Sequence, residues 1–133
     1  DLSRLDGQRQ LAQALITGAG ILAKLTRTRA DLPMLQAALR GVRDANDSLA
    51  VGSCFGDVLA SELDLEWVVV TDEYGTDAAL RRRGYKLFVF PETMLLKRLE
   101  RGEVSEEIDL AFMVGEIRDS LARSQVNAAK VEA

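Results

Sequence analysis

Apolar residues recur at three- and four-residue spacing over the first part of the chain, where Leu5, Ala12, Leu15, Ile16, Ala19, Leu22 and Ala23 fall on one stripe. This period predicts an amphipathic helix from Leu5 to Leu25, with Arg4, Arg9 and Lys24 on its outer side. The polar run Thr26-Arg27-Thr28-Arg29 ends it. Asp31 stands just before Pro33, whose missing N–H suits a first helical turn. Asp31 is therefore read as the cap of a second helix carrying Met34, Leu35, Ala38, Leu39 and Val42. A turn-rich break over 43–48 leads to a third helix from Leu49 to Leu63, with Val51, Cys54, Phe55, Val58, Leu59 and Leu63 as its apolar face.

The period changes after Leu63. Leu65-Glu66-Trp67-Val68-Val69-Val70-Thr71 is β-branched and aromatic, too short and too stiff at χ1 to prefer helix. Leu65, Trp67 and Val69 share one face and Val68 and Val70 the other, which predicts a central strand with Trp67 buried under a helix. A turn over 72–77 returns the chain as a short strand over Ala78–Arg81, and Gly84 turns it again into a third strand over Tyr85–Phe90. The connections are too short for a parallel crossover, so the strands are antiparallel neighbours. Pro91 opens a helix that Gly102 stops, and Ser105 caps a last one, with Glu106 and Glu107 at its positive end. The expected fold is α+β: N-terminal helices, a three-stranded antiparallel meander, then C-terminal helices. One domain is expected over residues 1–125, with a frayed tail over 126–133.

Composition then narrows the chemistry. The 133 residues include no histidine and a single cysteine, Cys54. Histidine triads, imidazole metal sites and an internal disulfide are excluded. No metal site and no cofactor is expected. Cys54 lies on the apolar face of its helix with no adjacent base, which reads as an inert core thiol. No window reaches the run of about 18 apolar residues that a membrane span needs, and nothing resembles a secretory leader. The expectation is a cytoplasmic protein without a membrane partner.

The net charge of −4 is blocked along the chain. Residues 64–77 carry five acids and no base, and residues 78–101 carry seven bases against two acids. A basic block flanked by acidic ones gives no positive approach face, so nucleic acid is not the expected partner. Asp72, Glu73, Tyr74 and Asp77 crowd one turn, Arg81, Arg82 and Arg83 follow, and Thr93, Lys97 and Arg98 lie on the first turns after Pro91. Asp72, Glu73, Tyr74, Asp77, Arg81, Thr93, Lys97 and Arg98 form the candidate ligand or partner site, and no catalytic residue is singled out. At least one of the turn acids is expected to pair with an arginine of this block or with Lys97 or Arg98.

Two glycine patterns have structural readings. Gly18, Gly20 and Ala23 match a dinucleotide fingerprint, but helical periodicity precedes Gly18 where that chemistry needs a strand. They are read instead as small residues that let a neighbouring helix approach. Gly52, Gly56 and Ala60 form a stripe on the third helix, read as close packing against the sheet or the first helix.

The ordered set Leu65-Glu66-Trp67-Val68-Val69-Val70, Asp72-Glu73-Tyr74-Gly75, Ala79-Leu80-Arg81, Val89-Phe90-Pro91, Thr93-Met94, Lys97-Arg98 and Arg101-Gly102-Glu103 resembles a family of small bacterial domains of unknown function, over about residues 48–103. The resemblance implies a bacterial α+β domain with no assigned activity and no catalytic residues to carry over. Two functions remain open. One is a non-catalytic protein-interaction or regulatory module, whose partner is another protein or a second copy of the chain. The other is a small-ligand-binding protein or hydrolase that uses the acidic turn with Arg81 and Lys97.

Overall fold

The computed structural model describes the backbone of residues 2–132 and the side chains of residues 2–124. The tail expected to fray, 126–133, lies outside the residues described in full. Five α-helices are described: α1 (Arg4–Gly18), α2 (Leu32–Ala38), α3 (Ala45–Leu63), α4 (Pro91–Glu100) and α5 (Leu110–Glu132). Between α3 and α4 run β1 (Glu66–Asp72), β2 (Gly75–Arg81) and β3 (Phe88–Val89), an antiparallel sheet in the order β1-β2-β3. The α+β architecture with helices on both sides of a meander is the one expected from the sequence.

Helix α3 is the spine. Asp44 starts it, its carboxylate accepting the Asp47 N–H at 2.9 Å, and Asp64 ends it in the left-handed region. Every residue from Asp47 to Leu59 except Leu49 is buried, because α1, α2, α4 and α5 all pack around it. Gly52 and Gly56 let α4 come in: a Cβ on Gly52 would stand 2.8 Å from the Glu92 Cα, and one on Gly56 2.5 Å from the Trp67 ring. The close-packing reading of this stripe holds, with α4 and Trp67 as the neighbours. The same reading fails for Gly18 and Gly20, which face open space. Gly20 instead carries the positive φ, +88°, by which the chain turns away two residues after α1.

The helix expected to reach Leu25 therefore stops at Gly18, and Leu22 is 91% exposed. Asp31 does not cap α2. Its buried carboxylate turns back to accept the Thr26 and Arg27 N–H groups and the Thr26 hydroxyl. The last helix starts at Leu110 rather than Ser105, after a single 3-10 turn over Ser105–Glu107. Gln36 pins that junction, donating to the Ile108 carbonyl and accepting from the Leu110 N–H.

In the sheet β2 is central, with Ala78, Ala79 and Leu80 buried, and β1 is an edge strand rather than the centre. A two-residue turn, Glu73-Tyr74, closes β1 on β2, so β1 meets only that neighbour. Alternation puts Trp67, Leu80 and Val89 on the core side, where Trp67 is partly buried against α3. The third strand shrinks to Phe88–Val89: β2 ends at Arg81, opposite Phe88, so Tyr85–Leu87 have no strand to pair with, and Pro91 opens α4 just past Val89.

Candidate binding groove

An open groove of about 700 Å³ lies beside β3, between the hairpin tip, α4 and α5. Four of the eight predicted residues line it: Asp72 and Asp77 from the hairpin, Thr93 and Lys97 from one face of α4. Lys86 adds a second ammonium, and Phe88, Met94, Ile117 and Leu121 give an apolar floor. Thr93 and Lys97 come together because four residues is about one helical turn. Phe88 keeps 40% of its surface in water. Among the described residues, no ion pair is made by Asp72, Asp77, Lys86 or Lys97; Asp72 accepts only the Tyr74 N–H, which holds the turn.

The other four predicted residues lie elsewhere. Tyr74 is 88% exposed at the hairpin tip, with Glu73 beside it. Arg98 is turned away to Glu103, at 3.2 Å. Arg81 sits at the base of the hairpin and pairs with Glu66 at 3.2 Å, as does Arg83 at 3.3 Å. The Arg81 hydrogen bond, with Arg83 nearby, holds the Glu66 carboxyl below the ordinary carboxylate range. The pairing expected between the turn acids and this arginine block does not form. Register explains it: Glu66 stands directly opposite Arg81, whereas Asp72 faces Gly75 and Asp77 faces Val70.

The sequence reading missed the most ordered polar cluster, which ties α1 to α3 and α4. Arg9 grips Asp57 with two 2.8 Å hydrogen bonds, and the same carboxylate accepts the Trp67 indole N–H at 2.9 Å. Asp57 is 5% exposed. The hydrogen bonds to Asp57, with its charge, raise the Arg9 pKa above its ordinary value, so this guanidinium stays protonated. Arg4 forks onto buried Glu92 with two 3.1 Å bonds, and Gln8 accepts from the Ser53 hydroxyl. Arg9, Asp31, Cys54 and Asp57 line a small cavity of about 230 Å³. Cys54 is not a nucleophile there: burial, with Asp57 close by, pushes its thiol up to about 12. The Arg9, Asp57, Arg4 and Glu92 charges are opposed within the chain, and the Asp31 carboxylate is met by backbone N–H and hydroxyl donors, so the cluster reads as a structural clasp. Among the described residues no three Asp, Glu or Cys side chains gather as ligands for a metal ion, and no helix is long and apolar enough to cross a membrane.

No curated protein matches the chain. Among solved structures, a crystal structure from Bacteroides thetaiotaomicron VPI-5482 is similar in fold, with a TM-score of 0.69 at 13% identity. The alignment covers 83% of this chain and 42% of that one, so the chain spans less than half the length of that structure. Residues 34–110, from α2 to the start of α5, match a family described as a domain of unknown function, DUF3806. That stretch holds α3, the whole sheet and α4, and this chain belongs to the DUF3806 family.

Proposed function

We propose that this protein is a non-catalytic interaction module that holds a segment of another protein in the groove between the hairpin tip, α4 and α5. One observation carries the reading: Asp77, Lys86 and Lys97 surround an apolar floor that includes partly exposed Phe88, and none of the three makes an ion pair among the described residues. Charges left uncommitted around exposed Phe88 suit a partner that supplies both apolar side chains and the opposite charges. The openness of the groove favours a chain segment over a small molecule, since small ligands are held in pockets that enclose most of their surface.

Selection from a displayed peptide library, followed by amide-shift mapping with the enriched peptide, tests this. The expected result is saturable binding with shifts confined to residues 86–97 and the facing part of α5. Phe88→Ser and Lys97→Glu each weaken it about tenfold or more without moving the unfolding midpoint. Enriched peptides that map elsewhere, or binding that both variants leave intact, would refute the reading.

A further inference from the structure

We propose that two copies of this chain associate by antiparallel pairing of their β1 strands, extending the sheet across a two-fold axis at Val69. The observation behind it is an edge that nothing protects. β1 pairs only with β2, and among the described residues no hydrogen bond reaches its other side. Exposed edges are usually blunted by lysine, proline, a bulge or a covering element. Glu66-Trp67-Val68-Val69-Val70-Thr71-Asp72 has no lysine and no proline, and its register with β2 runs unbroken from Glu66–Arg81 to Asp72–Gly75.

The backbone fixes how a second copy would fit. Residues of an antiparallel strand alternate between those bonded to their neighbour and those facing away. With Asp72 and Gly75 closing the two-residue turn as a bonded pair, Glu66, Val68, Val70 and Asp72 bond β2. Trp67, Val69 and Thr71 turn their N–H and C=O groups outward. An axis at Val69 sets each Trp67 against Thr71 of the other copy and Val69 against its own counterpart, so all three outward residues are paired. Centring on Val68 or Val70 leaves one of them without a partner strand. Val69, 41% exposed in the single chain, is covered by its counterpart, and Val68 meets Val70 on the other face.

Charge makes the second copy a better occupant than an unrelated strand. Asp72 and Glu73 at the hairpin tip make no ion pair within the described chain, and Arg81 and Arg83 at its base share the one carboxylate of Glu66. The strand length, about 20 Å for six residues at roughly 3.4 Å each, keeps tip and base apart in one molecule. The two-fold brings the tip of each hairpin beside the base of the other. Asp72 then lies opposite the Glu66 cluster, where two guanidinium groups outnumber one carboxylate and Arg83 is 88% exposed. The segregation of acids into 64–77 and bases into 78–101, matched within one chain at Glu66 but not at Asp72 or Glu73, thus becomes self-complementary between copies.

Sedimentation equilibrium over a concentration series, repeated at low and high salt, tests the proposal. The expected result is a reversible dimer that weakens as salt is added, with amides of Val69 and Thr71 exchanging more slowly as protein concentration rises. Val69→Pro removes an outward N–H without breaking a bond to β2, and should raise the dissociation constant about tenfold or more. Because proline could also unsettle the strand, a charge swap provides a second measure. Asp72→Arg and Arg83→Asp should each weaken the dimer, and together they should restore it. A chain that stays monomeric to about 1 mM, or a dimer indifferent to Val69→Pro and to both charge reversals, overturns the proposal. So does a monomer whose β1 edge takes up a lysine-rich strand peptide in place of its own copy.

Discussion

Replacing Arg9 with methionine tests the physical account of how α1 is held. The substitution keeps the aliphatic stem against α3 but leaves Asp57, 5% exposed, with only the Trp67 indole as donor. Removing one partner of a buried ion pair typically costs about 3–5 kcal/mol, because the remaining charge cannot recover its hydration. Arg9 retains 18% of its side-chain exposure, so water reaches one side of the pair and the lower end, about 3 kcal/mol, is expected. The second contact of Arg9, with Asp6, adds little because Asp6 is 70% exposed. Against a total stability of about 5–15 kcal/mol this is a large fraction, and for a chain of this size it lowers the midpoint by about 12 °C. Urea unfolding followed by fluorescence is the assay, and Trp67 is the sole tryptophan and bonds the same carboxylate. The companion variant Arg9→Met with Asp57→Leu removes both charges and should recover most of the loss, since an apolar pair of similar volume avoids the desolvation cost. A loss below about 1 kcal/mol in the single variant, or a double variant no better than the single, would show that the Asp57 carboxylate is not held as described.

Gly52→Ala should destabilise by about 1–3 kcal/mol by denaturant unfolding, because its Cβ meets the Glu92 backbone at 2.8 Å; helix propensity alone predicts a gain of about 1 kcal/mol, so the sign decides. Asp31→Ala leaves the Thr26 and Arg27 N–H groups without their acceptor, and should cost about 2–4 kcal/mol in the same measurement. Cys54 should resist thiol reagents at pH 8 until the chain unfolds. Its folded value, raised to about 12 from 9.0, leaves stability unaffected below about pH 9 and lowers it progressively from there to pH 12, a loss that Cys54→Ala should remove from the alkaline titration.

Local periodicity carried the elements, and residues with distant partners escaped it. Most of the strand, turn and helix punctuation over 65–102 reads directly, because those signals are satisfied by near neighbours: β-branched runs, Gly75 and Gly84 at positive φ, Pro91 at a helix start. Asp31 looked like a cap because its position before Pro33 is a cap position. It serves the preceding turn instead, where Thr26 and Arg27 present three donors to one carboxylate. Arg4 and Arg9 looked like an outer face because α1 has apolar residues on one stripe only. The acids they serve are 88 and 48 positions away, beyond the reach of any window. One signal was available: residues 45–63 are apolar or small nearly all round, which marks a helix enclosed on every side, and an acid such as Asp57 within it must have a cation. Within the groove, Thr93 and Lys97 were legible from helical spacing. Lys86 was not, since it belongs to a stretch read as strand that forms a loop.

The position of the clasp bears on what the family segment is. Residues 34–110 contain Asp57 and Glu92, two buried carboxylates, yet both guanidinium groups that neutralise them come from α1, outside that segment. Leu5, Ala12 and Ile16 of the same helix are buried with them. The segment that defines the family is therefore not electrostatically closed in this chain. Something must bring cations to the face of α3 and α4 that Gly52 and Gly56 leave closely packed, and here a flanking helix does so. The groove is lined by the hairpin, α4 and α5, while the β1 edge meets the clasp at Trp67, whose indole bonds Asp57. The groove, where Asp77, Lys86 and Lys97 make no ion pair among the described residues, and the β1 edge, whose outward backbone groups have no strand beside them, are the surfaces proposed for recognition.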